Sequence, residues 1–600
     1  MGIFRSLSSK SALALLIGYV FLFSFRLAHV NEKEISWDNL GYYLYLSSTF
    51  VHDDPLLADI SWLKELNEKK QLAGTLYMVS SNDQGEPMYF FLMGMSVFYA
   101  PSFFIAHSLA PSLGYEANGF SWPYQYALVL GGLLYTLIGL IFLRKILLRF
   151  FSENVTSIVL LLLVFGTNSV HHLTLDNLGT VNVIFMLNTL IIWHTINWHR
   201  EYSKKYLFYI TVFLSLLALV KPSEVASAFI PLLWNATSWS DIKKNFFRIV
   251  GDLKTLVVLL LVAGAILSPQ LIYWYIKTGS LVYDSYKNPG VGLDIFSPHI
   301  SETLISYRKG WLLYTPLMIL SLIGFYFIYK NYKRIFIACL AYFLISFWII
   351  SSWSEWWYGA GFSNRPLIAT YPILALCLGA FISYVGKAPF YLRTLVGVFS
   401  VFAIFLNQFQ WWQLRHYILD PYRTTKEYYW ASFLKTEVSE EDRKLKRVFR
   451  DFSGAQSFEN RQNYIVSEQS SFSDQGIKKI DSEETFTSIY ESTYEELLQK
   501  DHAWIELKME YRSRQQVDSS LFYVVMAMHH DGGAYGYYAF PSTLSVKDSS
   551  WHQFSEVYMT PEIRSTEDVY KTYVWNRYGA DFEIRNLEFT LYEPKKGDPY

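Results

Sequence analysis

Asp38 stands just past the first long apolar stretch of the chain, in the run Trp37-Asp38-Asn39-Leu40-Gly41-Tyr42-Tyr43-Leu44-Tyr45. A carboxylate beside hydrocarbon costs on the order of a few kcal/mol unless something holds it there, which makes it a candidate functional residue. Helical spacing places Asp38, Tyr42 and Tyr45 on one face. A general base that takes a proton from a hydroxyl is the chemistry such a carboxylate offers. The structural alternative is a helix cap followed by an aromatic belt. Glu86, just before Pro87, is a second candidate carboxylate and equally a turn residue. Asp53 and Asp54 offer hard oxygen ligands for a divalent cation such as magnesium or manganese. They also suit a solvated loop or a helix cap.

Four cations, Lys221, Arg308, Lys309 and Arg365, defy the positive-inside trend, and an anionic ligand or a paired carboxylate would account for each. Snorkelling from a helix end is the alternative for each. Tyr42, Trp356 and His172 are candidates to line a substrate, and the aromatics equally suit a membrane interface.

The elements that must position these residues are membrane spans. The 600 residues are 52% hydrophobic and 17% charged, against about 25% charged in soluble domains. A net charge of −1 gives no basic field, so nucleic acid is not an expected partner. The two cysteines, Cys339 and Cys377, both sit in apolar runs and supply neither a disulfide framework nor a thiolate metal site.

Residues 11–29 are long enough to span, follow Arg5 and Lys10, and read as an uncleaved span with a cytoplasmic N-terminus. The apolar run 88–109 decides the topology. If it spans, the clusters Arg144/Lys145/Arg149, Arg200/Lys204/Lys205, Lys243/Lys244/Arg248 and Lys330/Lys333/Arg334 all fall outside. If it lies along the outer interface, broken at Pro101, all fall inside, as the positive-inside rule favours. About eleven spans follow: 11–29, 124–143, 155–171, 179–197, 206–220, 224–238, 254–277, 311–329, 335–351, 366–385 and 390–409. The candidate residues then converge on the outer face.

Apolar runs vanish from about residue 412. Residues 411–462 read as a helical connector, with Glu440, Glu441, Asp442, Lys444 and Lys446 on a solvated face. Residues 463–600 carry alternating strands, such as 504–511, 521–528 and 582–592, with turn signals at Asp531-Gly532-Gly533 and Lys547-Asp548, and read as a β-sandwich. Trp504, Trp551, Trp575, Tyr535 and Tyr537 are candidate stacking faces for sugar rings, and equally core residues.

No phosphate-binding loop, dinucleotide fingerprint, HExxH or Gly-x-Ser-x-Gly occurs, which disfavours an ATP-driven transporter. A secondary transporter would show paired halves and polar residues deep in its spans. The layout instead resembles the GT-C superfamily of polyprenyl-phosphate-sugar-dependent membrane glycosyltransferases, in particular bacterial relatives of protein O-mannosyltransferases and aminoarabinose transferases. The residues that carry the resemblance are Trp37-Asp38, Glu86-Pro87, Lys221-Pro222, Arg308-Lys309-Gly310-Trp311 and Trp356-Trp357-Tyr358-Gly359-Ala360-Gly361-Phe362-Ser363-Asn364-Arg365. Glu86-Pro87 departs from the His/Asp-Tyr-Pro-Pro-like run of many relatives.

The resemblance covers residues 1–410 and implies a polytopic α-helical GT-C-like domain in the bacterial inner membrane, with the C-terminal domain periplasmic. It implies transfer of a sugar from a polyprenyl-phosphate donor to a protein, lipid or glycan acceptor by inverting displacement. Asp38 would be the base, Glu86 a second acid, and Lys221, Arg308 and Arg365 the phosphate partners. The alternative is a non-enzymatic lipid carrier, flippase-like, or an assembly factor for surface polymers.

Overall fold

The computed structural model describes residues 9–73, 76–286, 291–422, 424–439, 442, 445, 458–465, 476–498, 503–513, 521–530, 533–542, 550–561 and 565–594. The chain divides into two units, residues 1–287 with 293–422, and residues 288–292 with 423–600.

The first unit is helical. Among the described residues, seven helices are long and apolar enough to cross a membrane: Lys10–Leu27, Trp122–Phe150, Thr180–Glu201, Leu253–Thr278, Lys333–Ser351, Arg365–Val385 and Phe390–Arg415. The Thr180–Glu201 and Arg365–Val385 helices are buried along most of their length and form the centre, whereas Leu253–Thr278 shows most of its apolar surface. That is a bundle matched to an apolar solvent, since exposed leucines and valines would otherwise face water.

Three expected spans are shorter than about 20 residues and are broken. The 155–171 segment is a Glu153–Phe165 helix ending at Gly166, followed by a short Ser169–His172 turn of helix. The 224–238 segment is a 3-10 stretch, Pro222–Ala228, and a five-residue helix, Phe229–Leu233. The 311–329 segment divides at Thr315-Pro316 into Trp311–Tyr314 and Met318–Asn331. Proline and glycine explain the breaks, because proline donates no hydrogen bond and clashes with the preceding turn. Lys204–Val220 is a continuous helix of 17 residues.

Between the first and second long helices lie Trp37–Phe50, Ser61–Lys70, a two-stranded hairpin (Val79–Ser81 with Pro87–Tyr89) and Gly94–Leu109, the last with Pro101 inside it. Gly94–Leu109 is 16 residues long and falls outside the seven. Its first glycine lies against the backbone of Leu219 and Val220, so closely that a Cβ there would collide with it. Trp37–Phe50, Gly94–Leu109 and the hairpin share one apolar cluster, built on Leu40, Tyr43, Leu44, Met88, Met95 and Phe103. A second cluster surrounds Tyr371–Val385, where Gly324 of the neighbouring helix leaves room for the Cys377 carbonyl.

The bundle has two unlike ends. One carries Arg144 beside Ser9 and Ser11, Lys204 paired with Asp252, Arg248 over the Tyr202 ring, and Tyr332 bonded to the Phe150 carbonyl. The other carries the candidate site residues.

The second unit contains a short Lys426–Ser432 helix and two antiparallel sheets. One sheet runs Phe486–Thr493, Val569–Trp575, Tyr523–His530, Gly533–Pro541 in spatial order. The other runs Phe458–Ile465, Phe582–Pro594, Trp504–Arg512, His552–Met559, with Ile477–Ile480 also paired to Phe582–Pro594. Both inner faces contribute to one core, including Leu507, Met509, Val524, Met526, Val574, Ile584 and Leu591, which is the layering of a sandwich. The strands expected at 504–511, 521–528 and 582–592 are found within a few residues. The turn signals at 531–532 and 547–549, and Glu440, Glu441, Lys444 and Lys446, lie outside the described residues.

Trp504 and Tyr535 are buried, and Trp551 lies between Arg512 and Arg585, at 4.5 and 4.0 Å from its ring centroid. Tyr537 is exposed and Trp575 half-buried. The expected stacking faces therefore do not share one surface.

Candidate functional site

Asp38 occupies the first turn of the Trp37–Phe50 helix, where a carboxylate is favoured by the unpaired amides and the helix dipole. Ser36 is the N-cap. Tyr42, one turn on, packs its ring 4.3 Å from that of Phe91. Tyr45, on the same face, donates to the Phe91 carbonyl at 3.0 Å and stacks on Tyr89 at 3.7 Å. The expected helix and its face are therefore present, with the tyrosines fixing the helix to the hairpin.

Asp38 is held from two sides. Tyr77 donates its hydroxyl to Oδ1 at 2.5 Å, and Arg365 Nη2 lies 3.4 Å from Oδ2. The same guanidinium places Nη1 3.8 Å from Asp176 Oδ2. One arginine thus bridges two carboxylates from distant parts of the chain. Burial and the neighbouring Asp38 carboxylate push the Tyr77 hydroxyl well above its ordinary pKa, so it remains a donor.

Asp176 is joined to His172, whose Nδ1 lies 3.0 Å from Oδ2. His172 Nε2 lies 2.9 Å from the Phe362 carbonyl. Both ring nitrogens face acceptors, so both contacts are hydrogen bonds when both nitrogens carry protons. Burial acts to raise the Asp176 carboxyl, but the hydrogen bond from His172 and the nearby His172 and Arg365 charges outweigh it and hold the group at about 2.

The Asp176 loop is fixed from below. Arg26, in the last turn of the first helix, donates Nε to Asn177 Oδ1 at 2.8 Å and pairs both terminal nitrogens with Glu34. Arg26 and Glu34 are 1% and 7% exposed, a buried pair that carries the first helix to the loop next to Asp176.

Arg365 is delivered by the tight segment before it. Tyr358 and Ser363 are left-handed non-glycine residues, and Gly361 has φ of +133° close against the His172 ring. Such backbone costs on the order of 1–3 kcal/mol per residue and persists where its surroundings enforce it.

Lys309 is buried and donates to the Gly361 carbonyl. Burial, and then the nearby Arg365 and Arg308 charges, push its ammonium well below its ordinary pKa. Lys221 caps the Lys204–Val220 helix with its Nζ 5.3 Å from the Tyr358 ring centroid, and its ammonium is lowered by burial, against the opposing Glu224 carboxylate and with Arg365 adding a smaller effect. Among the described residues Lys221 has no carboxylate within ion-pair distance. At both lysines the Arg365 repulsion is opposed by carboxylates, Glu224 at Lys221, and Asp420 and Asp176 at Lys309.

The other candidates stand outside the bridge of Arg365 to Asp38 and Asp176, although Arg308 is near enough to Lys309 to lower its ammonium. Arg308 stacks on Trp357, 3.6 Å from the ring centroid, and donates Nε to the Tyr422 carbonyl at 2.8 Å. Trp356 is buried beside it and does not line an open surface. Glu86 sits in the hairpin turn, with its Oε2 3.3 Å from Lys277 and 3.2 Å from Asn82, so its contacts are not with Asp38. Asp54 accepts the amides of Ala58 and Asp59, each at 2.9 Å, one on each oxygen. Asp53, in left-handed backbone, is exposed. Among the described residues no group of three or more His, Cys, Asp or Glu side chains is arranged to hold a metal ion.

Asp176 and Tyr77 are members of the cluster that sequence reasoning passed over. The available signal for Asp176 was its helical spacing from His172. Tyr77 carried none. No protein-family model and no curated protein matches the chain.

Proposed function

We propose that the protein is an integral-membrane glycosyltransferase that moves a sugar from a polyprenyl-phosphate donor to a hydroxyl of a protein, lipid or glycan. The observation that carries this reading is the meeting of Asp38 with Arg365, a carboxylate and a guanidinium 327 residues apart in the chain, beside Lys221 and Lys309. A base next to a group of buried cations is what transfer from a sugar phosphate calls for.

In this reading Asp38 accepts the proton of the acceptor hydroxyl as that oxygen bonds to the anomeric carbon. The bond from that carbon to the phosphate oxygen breaks, and its electron pair leaves with the polyprenyl phosphate. Attack opposite the leaving group inverts the anomeric centre. Lys221, Lys309 and Arg365 stabilise the charge that develops on the phosphate, as fixed cations in a water-poor site do efficiently. Asp176 and His172 orient Arg365, and Tyr77 orients Asp38. No step is assigned to Glu86 or to a metal ion.

The eleven expected segments are counted as spans in this reading, the three broken ones included. Gly94–Leu109 lies in the outer interface of a bacterial inner membrane, the basic end of the bundle is cytoplasmic, and the sheet domain is periplasmic. The test is to profile lipid-linked sugars by mass spectrometry in a strain lacking the protein, complemented with wild type or with Asp38→Asn. Accumulation of a polyprenyl-phosphate sugar in the mutant, with consumption by wild type, supports the transferase and gives the donor's mass. Identical lipid pools with a persisting wild-type phenotype favour a carrier or assembly factor.

A further inference from the structure

The Trp239–Val250 helix is amphipathic and leaves a set of large aromatic side chains exposed. Ser238 and Asp241 close a capping box at its start, which fixes the helix's beginning. Asn245 is buried, and its amide donates to the Leu232 and Trp234 carbonyls at 3.0 and 2.9 Å. Ile242 and Ile249, within a turn of Asn245 on the same side, pack against apolar clusters of the bundle, so this side faces the protein. Trp239, Phe246 and Phe247 are 69%, 49% and 64% exposed. A helix at a protein–water boundary does not leave three large aromatics in the open.

The exposed aromatic face is not isolated. After Gly251 and Asp252 the chain enters Leu253–Thr278, the long helix with the most exposed apolar surface, and Leu253 at its start is itself exposed. Leu253–Thr278 extends 26 residues, or about 39 Å, to the end where Lys277 meets Glu86. The aromatic face therefore continues a span's surface at the end remote from Asp38. Lys243 lies within the exposed sector, Lys244 beside it, and neither has an ion pair among the described residues.

We propose that this helix lies in one leaflet of the bilayer and that Lys243 and Lys244 bind the headgroups of anionic phospholipids there. The aromatic rings sit at the headgroup–acyl boundary, and the lysine stems run along them to place the ammonium groups among phosphates. The helix anchors the basic end of the bundle to an acidic leaflet, independently of what the Asp38 cluster does.

The test uses the full-length protein. Phosphatidylglycerol or phosphatidylcholine is titrated into the detergent-solubilised protein, and bound lipid is counted by native mass spectrometry. Wild type retains phosphatidylglycerol over phosphatidylcholine, and its affinity falls about fivefold for each of Lys243→Gln and Lys244→Gln. Both lysines are exposed, so the variants keep the fold. Equal phosphatidylglycerol binding by wild type and the double variant overturns the headgroup assignment. A spin label at Phe247→Cys, in nanodiscs, must relax with oxygen more than with a water-soluble nickel chelate. The opposite preference overturns the placement of the helix in the leaflet.

Discussion

Replacing Arg26 by Met should destabilise the helical unit far more than replacing both members of its pair. Arg26 and Glu34 are almost fully buried, and the guanidinium contacts both oxygens of Glu34, the Asn177 amide oxygen at 2.8 Å and the His29 carbonyl at 3.2 Å. In Arg26→Met the Glu34 carboxylate stays buried with only the Asn31 amide, at 2.9 Å, among its charted donors. Stranding a charge in this way costs about 3–5 kcal/mol. In Arg26→Met/Glu34→Gln no charge is stranded and the Asn31 contact remains. The residual loss is then the hydrogen bond to Asn177 and the carbonyl contact, about 1–2 kcal/mol together. Unfolding in mixed micelles, followed by intrinsic tryptophan fluorescence, gives both values and their coupling. If the double variant is as unstable as Arg26→Met, the pair is not energetically coupled and the reasoning fails.

Three further outcomes follow from the same contacts. Arg365→Lys should reduce turnover by at least tenfold with the fold retained, because an ammonium cannot span Asp38 and Asp176 as a guanidinium fork does; turnover equal to wild type in a reconstituted assay counts against the bridge. Tyr77→Phe should leave thermal stability nearly unchanged and alter the pH–rate profile of the reaction, since only the 2.5 Å bond to Asp38 is lost; an unaltered profile removes Tyr77 from the site. The Asp176 carboxyl is held at about 2, below the usual value near 3.9 in an unfolded chain. Its contribution to stability is therefore complete above about pH 4 and is lost as pH falls through about 2. Asp176→Asn should lack this acid-dependent step in unfolding titrations between those limits, and a wild-type-like step in the variant refutes the assignment.

The helix bearing Asp38 was legible because its tyrosines repeat at helical spacing beside an apolar run. The sheet domain was legible because its strands alternate. The segments 155–171, 224–238 and 311–329 read as continuous helices, although Gly166 and Pro316 mark the breaks in the first and last; average hydrophobicity hides a single residue that cannot continue a helix. Arg26 carried a clear signal, a charge inside a spanning segment, and its partner Glu34 lay only eight residues away. The bridge from Arg365 to Asp38 and Asp176 was a different matter. No periodicity links residues hundreds of positions apart, and an aspartate in a polar loop looks like any other until the fold sets a guanidinium against it. Arg308 shows how one side chain suits two purposes, since the guanidinium that fits phosphate also stacks on Trp357.

The most direct test of the central claim is release of polyprenyl phosphate from a polyprenyl-phosphate sugar by the purified protein in nanodiscs, compared with Asp38→Asn. The account predicts that wild type releases the lipid phosphate in the presence of acceptor, while Asp38→Asn binds the same donor and releases it at least a hundredfold more slowly, in keeping with the loss of a general base. Equal release by the two proteins would contradict it.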